Sequence, residues 1–170
     1  MTQDNSIAQD NSVKKDRMRY TKDTLSANLL LFAIVADVLY FVNLYQSDVG
    51  SYFYNWQIGA SVVYNLIFLL AVFLSSEGVK NRVNSYLPLM IGAGIMQFVR
   101  IFYIPLQARN AVITIAENQV RVMEDGQFFY MTGCLAVSGI LILIACVTSY
   151  TNNKTLSNYL ETLNKETAER

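Results

Sequence analysis

The stretch LSANLLLFAIVADVLYFVNLY, from Leu25 to Tyr45, decides the fold. A hydrocarbon layer of about 30 Å takes about 20 helical residues to cross, and this run supplies them with Asp37 as its one formal charge. Asp23 or Thr24 offers an N-cap just before it. The run is too long for the core of a signal peptide, and no small-residue cleavage site follows it, so it is expected to stay in the mature chain. Three further stretches meet the same length: Trp56 to Leu74, Tyr86 to Pro105 and Phe128 to Tyr150. Tyr45, Tyr54, Trp56, Tyr86, Tyr103, Tyr130 and Tyr150 stand near the ends of these runs, as aromatic residues do at a bilayer interface. The expectation is an all-α integral membrane protein, a four-transmembrane-helix bundle.

Composition agrees. Of 170 residues 53% are hydrophobic and 15% charged, and the charges lie mostly in the tails and connections. Such a balance is too apolar for an ordinary soluble domain of this size. Thirteen basic residues against thirteen acidic ones give no basic face for nucleic acid. The chain has no histidine, which removes the commonest metal ligand, the usual neutral-pH base and the axial ligand of a membrane cytochrome. No cofactor is expected. Cys134 and Cys146 lie roughly 18 Å apart along one helix, too far to bridge, and read as small buried hydrophobes.

Basic residues set the orientation. Lys14, Lys15, Arg17, Arg19 and Lys22 precede the first span, Lys80 and Arg82 lie between the second and third, and Lys154, Lys165 and Arg170 follow the fourth. The opposite side has only Arg109 and Arg121. This asymmetry places both termini in the cytoplasm and, with no targeting presequence apparent, suggests a bacterial plasma membrane, multi-pass.

The domain reading follows: residues 1–23 as a disordered polar and basic tail, 24–150 as the four-helix membrane domain, and 151–170 as a short amphipathic cytoplasmic tail. In that tail Leu156, Tyr159, Leu160 and Leu163 form an apolar stripe for the membrane surface or a partner. The outer loop, 106–127, carries Val112, Ile115, Ala116, Val120 and Met123 at helical spacing, which favours an amphipathic surface helix over a hairpin turning at Glu117 and Asn118.

Asp37 is the sharpest chemical signal, because a carboxylate inside a span costs about 2.5 to 3.5 kcal/mol and must face protein or water. Counting along the first and third spans, which both run outward, puts Asp37 roughly 12 Å and Arg100 roughly 8 Å below the outer interface, at depths where they can pair. Around them Tyr40 and Asn43 follow Asp37 at intervals of three, Gln97 and Tyr103 bracket Arg100, and Tyr64 and Asn65 share a face of the second span with Gln57 and Ser61. These residues form a candidate intramembrane polar site, which serves either interhelical bonding or a proton, cation or solute. Gly92, Gly94, Gly133, Ser138 and Gly139 read as surfaces for close helix packing.

The chain has no GxxxxGK[ST], HExxH, CxxC or GxSxG, so nothing in it specifies nucleotide hydrolysis, metalloproteolysis, thiol redox or serine hydrolysis. The foremost expectation is a small polytopic protein without catalytic activity, a subunit or accessory factor of a larger membrane complex. Its partners are membrane lipid and either another protein or further copies of itself. The alternatives are a small oligomeric transporter or channel using Asp37 and Arg100, and a membrane enzyme acting on a lipid-like substrate.

Overall fold

The structure, a computed structural model, describes residues 13–46, 55–115 and 118–168. Its elements in order are α1 (Thr24–Gln46), α2 (Asn55–Lys80), a 3-10 turn (Asn84–Tyr86), α3 (Leu87–Tyr103), α4 (Pro105–Asn110), β1 (Val112–Ile115), β2 (Asn118–Arg121) and α5 (Asp125–Ala168). α1, α2, α5 and the helical segment from Asn84 to Asn110 are each long and apolar enough to cross a membrane.

α1 packs on α2 and α5, and α3 packs on α5 and, more sparsely, on α2. The four long helices therefore form a ring, with α1 opposite α3 and α2 opposite α5. Buried positions on α5 recur at alternating steps of three and four: Phe128, Met131, Leu135, Ser138, Ile142, Ala145 and Ser149. That is the heptad seam of a left-handed bundle. α1 presents Leu30, Ala33, Asp37 and Tyr40 to the interior, and its small Ala27, Ala33 and Ala36 leave room for the neighbouring helices. Between α3 and α5 the backbones come close, because a Cβ on Gly139 would lie 2.9 Å from the Phe98 ring and 3.2 Å from the Gly94 carbonyl oxygen.

The bundle sets a polar cluster within an apolar core and also exposes large apolar side chains on its outside. Asp37, Asn65, Gln97, Arg100 and Ser138 are buried, whereas Phe32, Leu66, Ile67, Leu70, Phe102 and Val147 are more than half exposed. An exterior of this kind is matched to a hydrocarbon solvent, and the interior collects the groups that such a solvent cannot satisfy.

At one end of the bundle Asp23 caps α1: its Oδ1 accepts the Ser26 backbone N–H at 3.2 Å and its Oδ2 accepts the Ser26 hydroxyl at 2.9 Å and the Asn152 amide at 3.2 Å. α2 ends in a Schellman motif, with Val83 N–H donating to the Gly78 carbonyl at 3.0 Å and Arg82 N–H to Val79 at 2.8 Å. Arg82 takes the left-handed conformation that this motif needs, at φ 60°, and its Nε donates to the Thr21 carbonyl.

Four expectations change. The outer loop is a hairpin and not an amphipathic helix: Val112 pairs with Arg121, Ile113 with Val120, Thr114 with Gln119 and Ile115 with Asn118. Its β-branched run favours extended backbone, and Val122 and Met123 after it are buried in a core with Ala108, Ala111 and Phe128. The fourth helix does not end at Tyr150, since α5 continues unbroken through the tail to Ala168. Residues 13–18 are helical, although the whole N-terminal tail was expected to be disordered; residues 1–12 lie outside the described residues. Of the two cysteines, both free, Cys146 is buried but Cys134 is only partly so.

Candidate functional site

The interior of the ring holds one connected polar cluster, to which all four long helices contribute. α1 brings Asp37, whose carboxylate is wholly buried, and α3 brings Arg100 across the ring, with Nη1 donating to Asp37 Oδ1 at 2.6 Å. One turn earlier on α3, the Gln97 carbonyl oxygen accepts from the same Nη1 at 2.8 Å. The Gln97 amide donates to Asp37 Oδ1 at 2.9 Å and to the Ser138 hydroxyl of α5 at 3.0 Å. Ser138 in turn donates to the Ala33 carbonyl of α1 at 3.0 Å. From α2, Asn65 Oδ1 accepts from Arg100 Nη2. Both Nη1 hydrogens and both Gln97 amide hydrogens are thus used.

Aromatic faces complete the surroundings of the cation. The Arg100 guanidinium carbon lies 4.7 Å from the centre of the Tyr40 ring, 4.8 Å from Tyr64 and 5.9 Å from Phe68. Facing ring quadrupoles and a carboxylate compensate the charge that burial strips of water. Among the described residues, Asp37 Oδ2 and Asn65 Nδ2 have no hydrogen-bond partner.

Beside the cluster lies a cavity of about 210 Å³, lined by Tyr40, Ala60, Ser61, Tyr64, Arg100, Tyr103 and Ile104. It sits between α1, α2 and α3, on the side where α2 and α3 touch least.

Of the residues expected at the site, Asp37, Arg100, Gln97, Tyr40, Asn65 and Tyr64 are therefore together. Asn43 is only half-buried, its Oδ1 has no partner among the described residues, and nothing joins it to the cluster. Tyr103 is 45% exposed and reaches the cavity but makes no hydrogen bond within the cluster. Ser138 and Phe68 were not anticipated as partners of Asp37 and Arg100. The signal for Ser138 was its place on the α5 seam, a hydroxyl between Leu135 and Ile142 that had to find an acceptor.

At the hairpin end, the two isolated basic residues share one carboxylate. Arg109 Nε donates to Asp125 Oδ1 at 3.1 Å and Arg121 lies 3.7 Å from Asp125 Oδ2, while Arg109 also stacks 4.6 Å from the Phe128 ring.

The chain matches no family model, and no curated protein and no solved structure matches it.

Proposed function

We propose that this chain is a multi-pass membrane protein with both termini in the cytoplasm, acting without catalysis as an accessory subunit of a larger membrane complex. The observation that carries the reading is the α5 seam. Its three-four spacing does not stop with the bundle but runs on through Asn152, Leu156, Tyr159 and Leu163, all half-buried. A helix that keeps its seam roughly 20 Å beyond the membrane domain offers a surface for another helix. Residues near the N-terminus line part of it, with Lys15 beside Thr155, Asn158, Tyr159 and Thr162.

The polar cluster supports the same role. Asp37 and Arg100 tie α1, α2 and α3 together directly, and Gln97 links them to Ser138 of α5, so they serve to hold one arrangement of the four helices. The distribution of basic residues supports the cytoplasmic orientation of both termini.

The test is co-purification from the native membrane in mild detergent, comparing the full chain with a truncation after Lys154 that keeps the Asp23–Asn152 contact. The full chain retains a stoichiometric partner, and the truncation loses it while the bundle still unfolds at the same temperature. Recovery of a pure homo-oligomer in both cases sinks the proposal.

One observation favours a second reading, a small oligomeric transporter or channel. Asp37 Oδ2 is a buried carboxylate oxygen without a partner among the described residues, and its ion-pair partner Arg100 lines a cavity. Its test is flux into liposomes: the Asp37→Asn variant abolishes proton or cation movement if this reading holds and leaves it unchanged otherwise.

A further inference from the structure

The cavity against Arg100 has a chemistry that the accessory role does not use. At about 210 Å³ it exceeds the roughly 150 Å³ that accepts a benzene ring, so it has room for one substituted ring and not for a peptide or a whole lipid. Tyr103 and Ala60 on its wall are exposed on the flank of the bundle, so a ligand reaches it sideways, from the phase that bathes the apolar surface.

Charge narrows the class of ligand. Asp37 neutralises Arg100 at 2.6 Å, so the site offers little net field to a free anion. It still offers a donor: a guanidinium has five N–H groups, and among the described residues Asp37, Gln97, Asn65 and Tyr40 engage four of Arg100's. Tyr40 and Tyr64 supply flat faces, and Ser61 adds a hydroxyl to the wall. Donors, ring faces and no net charge suit a planar, uncharged ring that carries carbonyl oxygens.

We propose that this cavity binds the headgroup of a lipid-soluble quinone, with the ring among Tyr40, Tyr64 and Tyr103 and a carbonyl oxygen accepting from Arg100. The site rests on the reading that the four long helices cross a membrane, and it is independent of any partner subunit.

The experiment uses the full chain in phosphatidylcholine nanodiscs, titrated with decylubiquinone by calorimetry. The wild type binds saturably, one quinone per chain. Ser61→Phe fills the cavity without touching the ion pair and weakens binding by about tenfold, roughly 1.4 kcal/mol, while its unfolding temperature stays that of the wild type. Tyr103→Ala, at an exposed wall residue, also weakens binding and serves if Ser61→Phe does not fold. Stearate, an anionic amphiphile of similar reach, does not compete. Non-saturating partition, binding unchanged in both variants, or displacement by stearate each overturns the quinone site. A chain that is soluble and monodisperse without lipid sinks the membrane reading itself, which separates the two failures.

Discussion

Asp37 and Arg100 are worth far less as a pair than either one costs alone. Removing one partner of a buried ion pair leaves an uncompensated charge and destabilises by about 3 to 5 kcal/mol, whereas replacing both with apolar residues of similar size is often neutral. Asp37→Leu and Arg100→Met are each expected to lower the unfolding free energy in detergent by that amount, and the double variant to recover most of it, as read by a double-mutant cycle. Additive losses would mean that the two charges do not depend on each other. These two residues were legible because a charge inside an apolar run has few places to go. Asn43 stands apart from the hydrogen-bonded cluster and Tyr103 lines only the adjoining cavity, for a shared geometric reason. Steps of three along a helix lag the turn, so the second step after Asp37, or the first after Arg100 and the second after Gln97, drifts by up to about 120° from the starting face. Ser138 read as a small packing residue and not as a partner of Gln97, because a hydroxyl in an apolar helix commonly bonds its own backbone, as Ser75 does to Ala71 and Thr148 to Ile144.

Among the elements, the glycines separate into two kinds that their shared residue type concealed. Gly94 and Gly139 lie where α3 meets α5, with Leu143, Ile142 and Phe98 against them, but Gly92 and Gly133 face open space. Gly139→Val is expected to push the two helices apart and cost about 1 to 3 kcal/mol, whereas Gly92→Ala stabilises by up to about 1 kcal/mol through helix propensity. Thermal unfolding of both variants in the same detergent checks the contrast, and equal effects would place the α3–α5 contact elsewhere. The hairpin was harder to read than the helices. Its apolar positions satisfy a helical and an alternating pattern at once, so the choice fell to β-branched content and to the burial of Val122 and Met123, and the latter depends on tertiary packing.

For the molecule as a whole, the apolar runs disclosed the long helices because their length and lack of charge leave few alternatives, but the polar residues 151–155 hid the continuation of α5. The periodicity of its seam was the better guide, since it passes through them without a change of register. The proposed orientation has its own test: in a bacterial host, a green fluorescent protein fused after Arg170 should fluoresce, and an alkaline phosphatase fused within the hairpin at Asn118 should be active. The reverse pattern would invert the topology. α5 also carries a mechanical consequence. A single helix of 44 residues is a rod of roughly 66 Å, held by its neighbours over roughly its first two-thirds, to Asn153, and extending beyond the bundle after that. Such a rod is a lever: a tilt of about 10° at the hairpin end swings the far tip by roughly 11 Å, about one helix diameter. On the proposed accessory role, a small rearrangement around the buried ion pair would be amplified into a displacement large enough to engage or release a partner at Leu156, Tyr159 and Leu163.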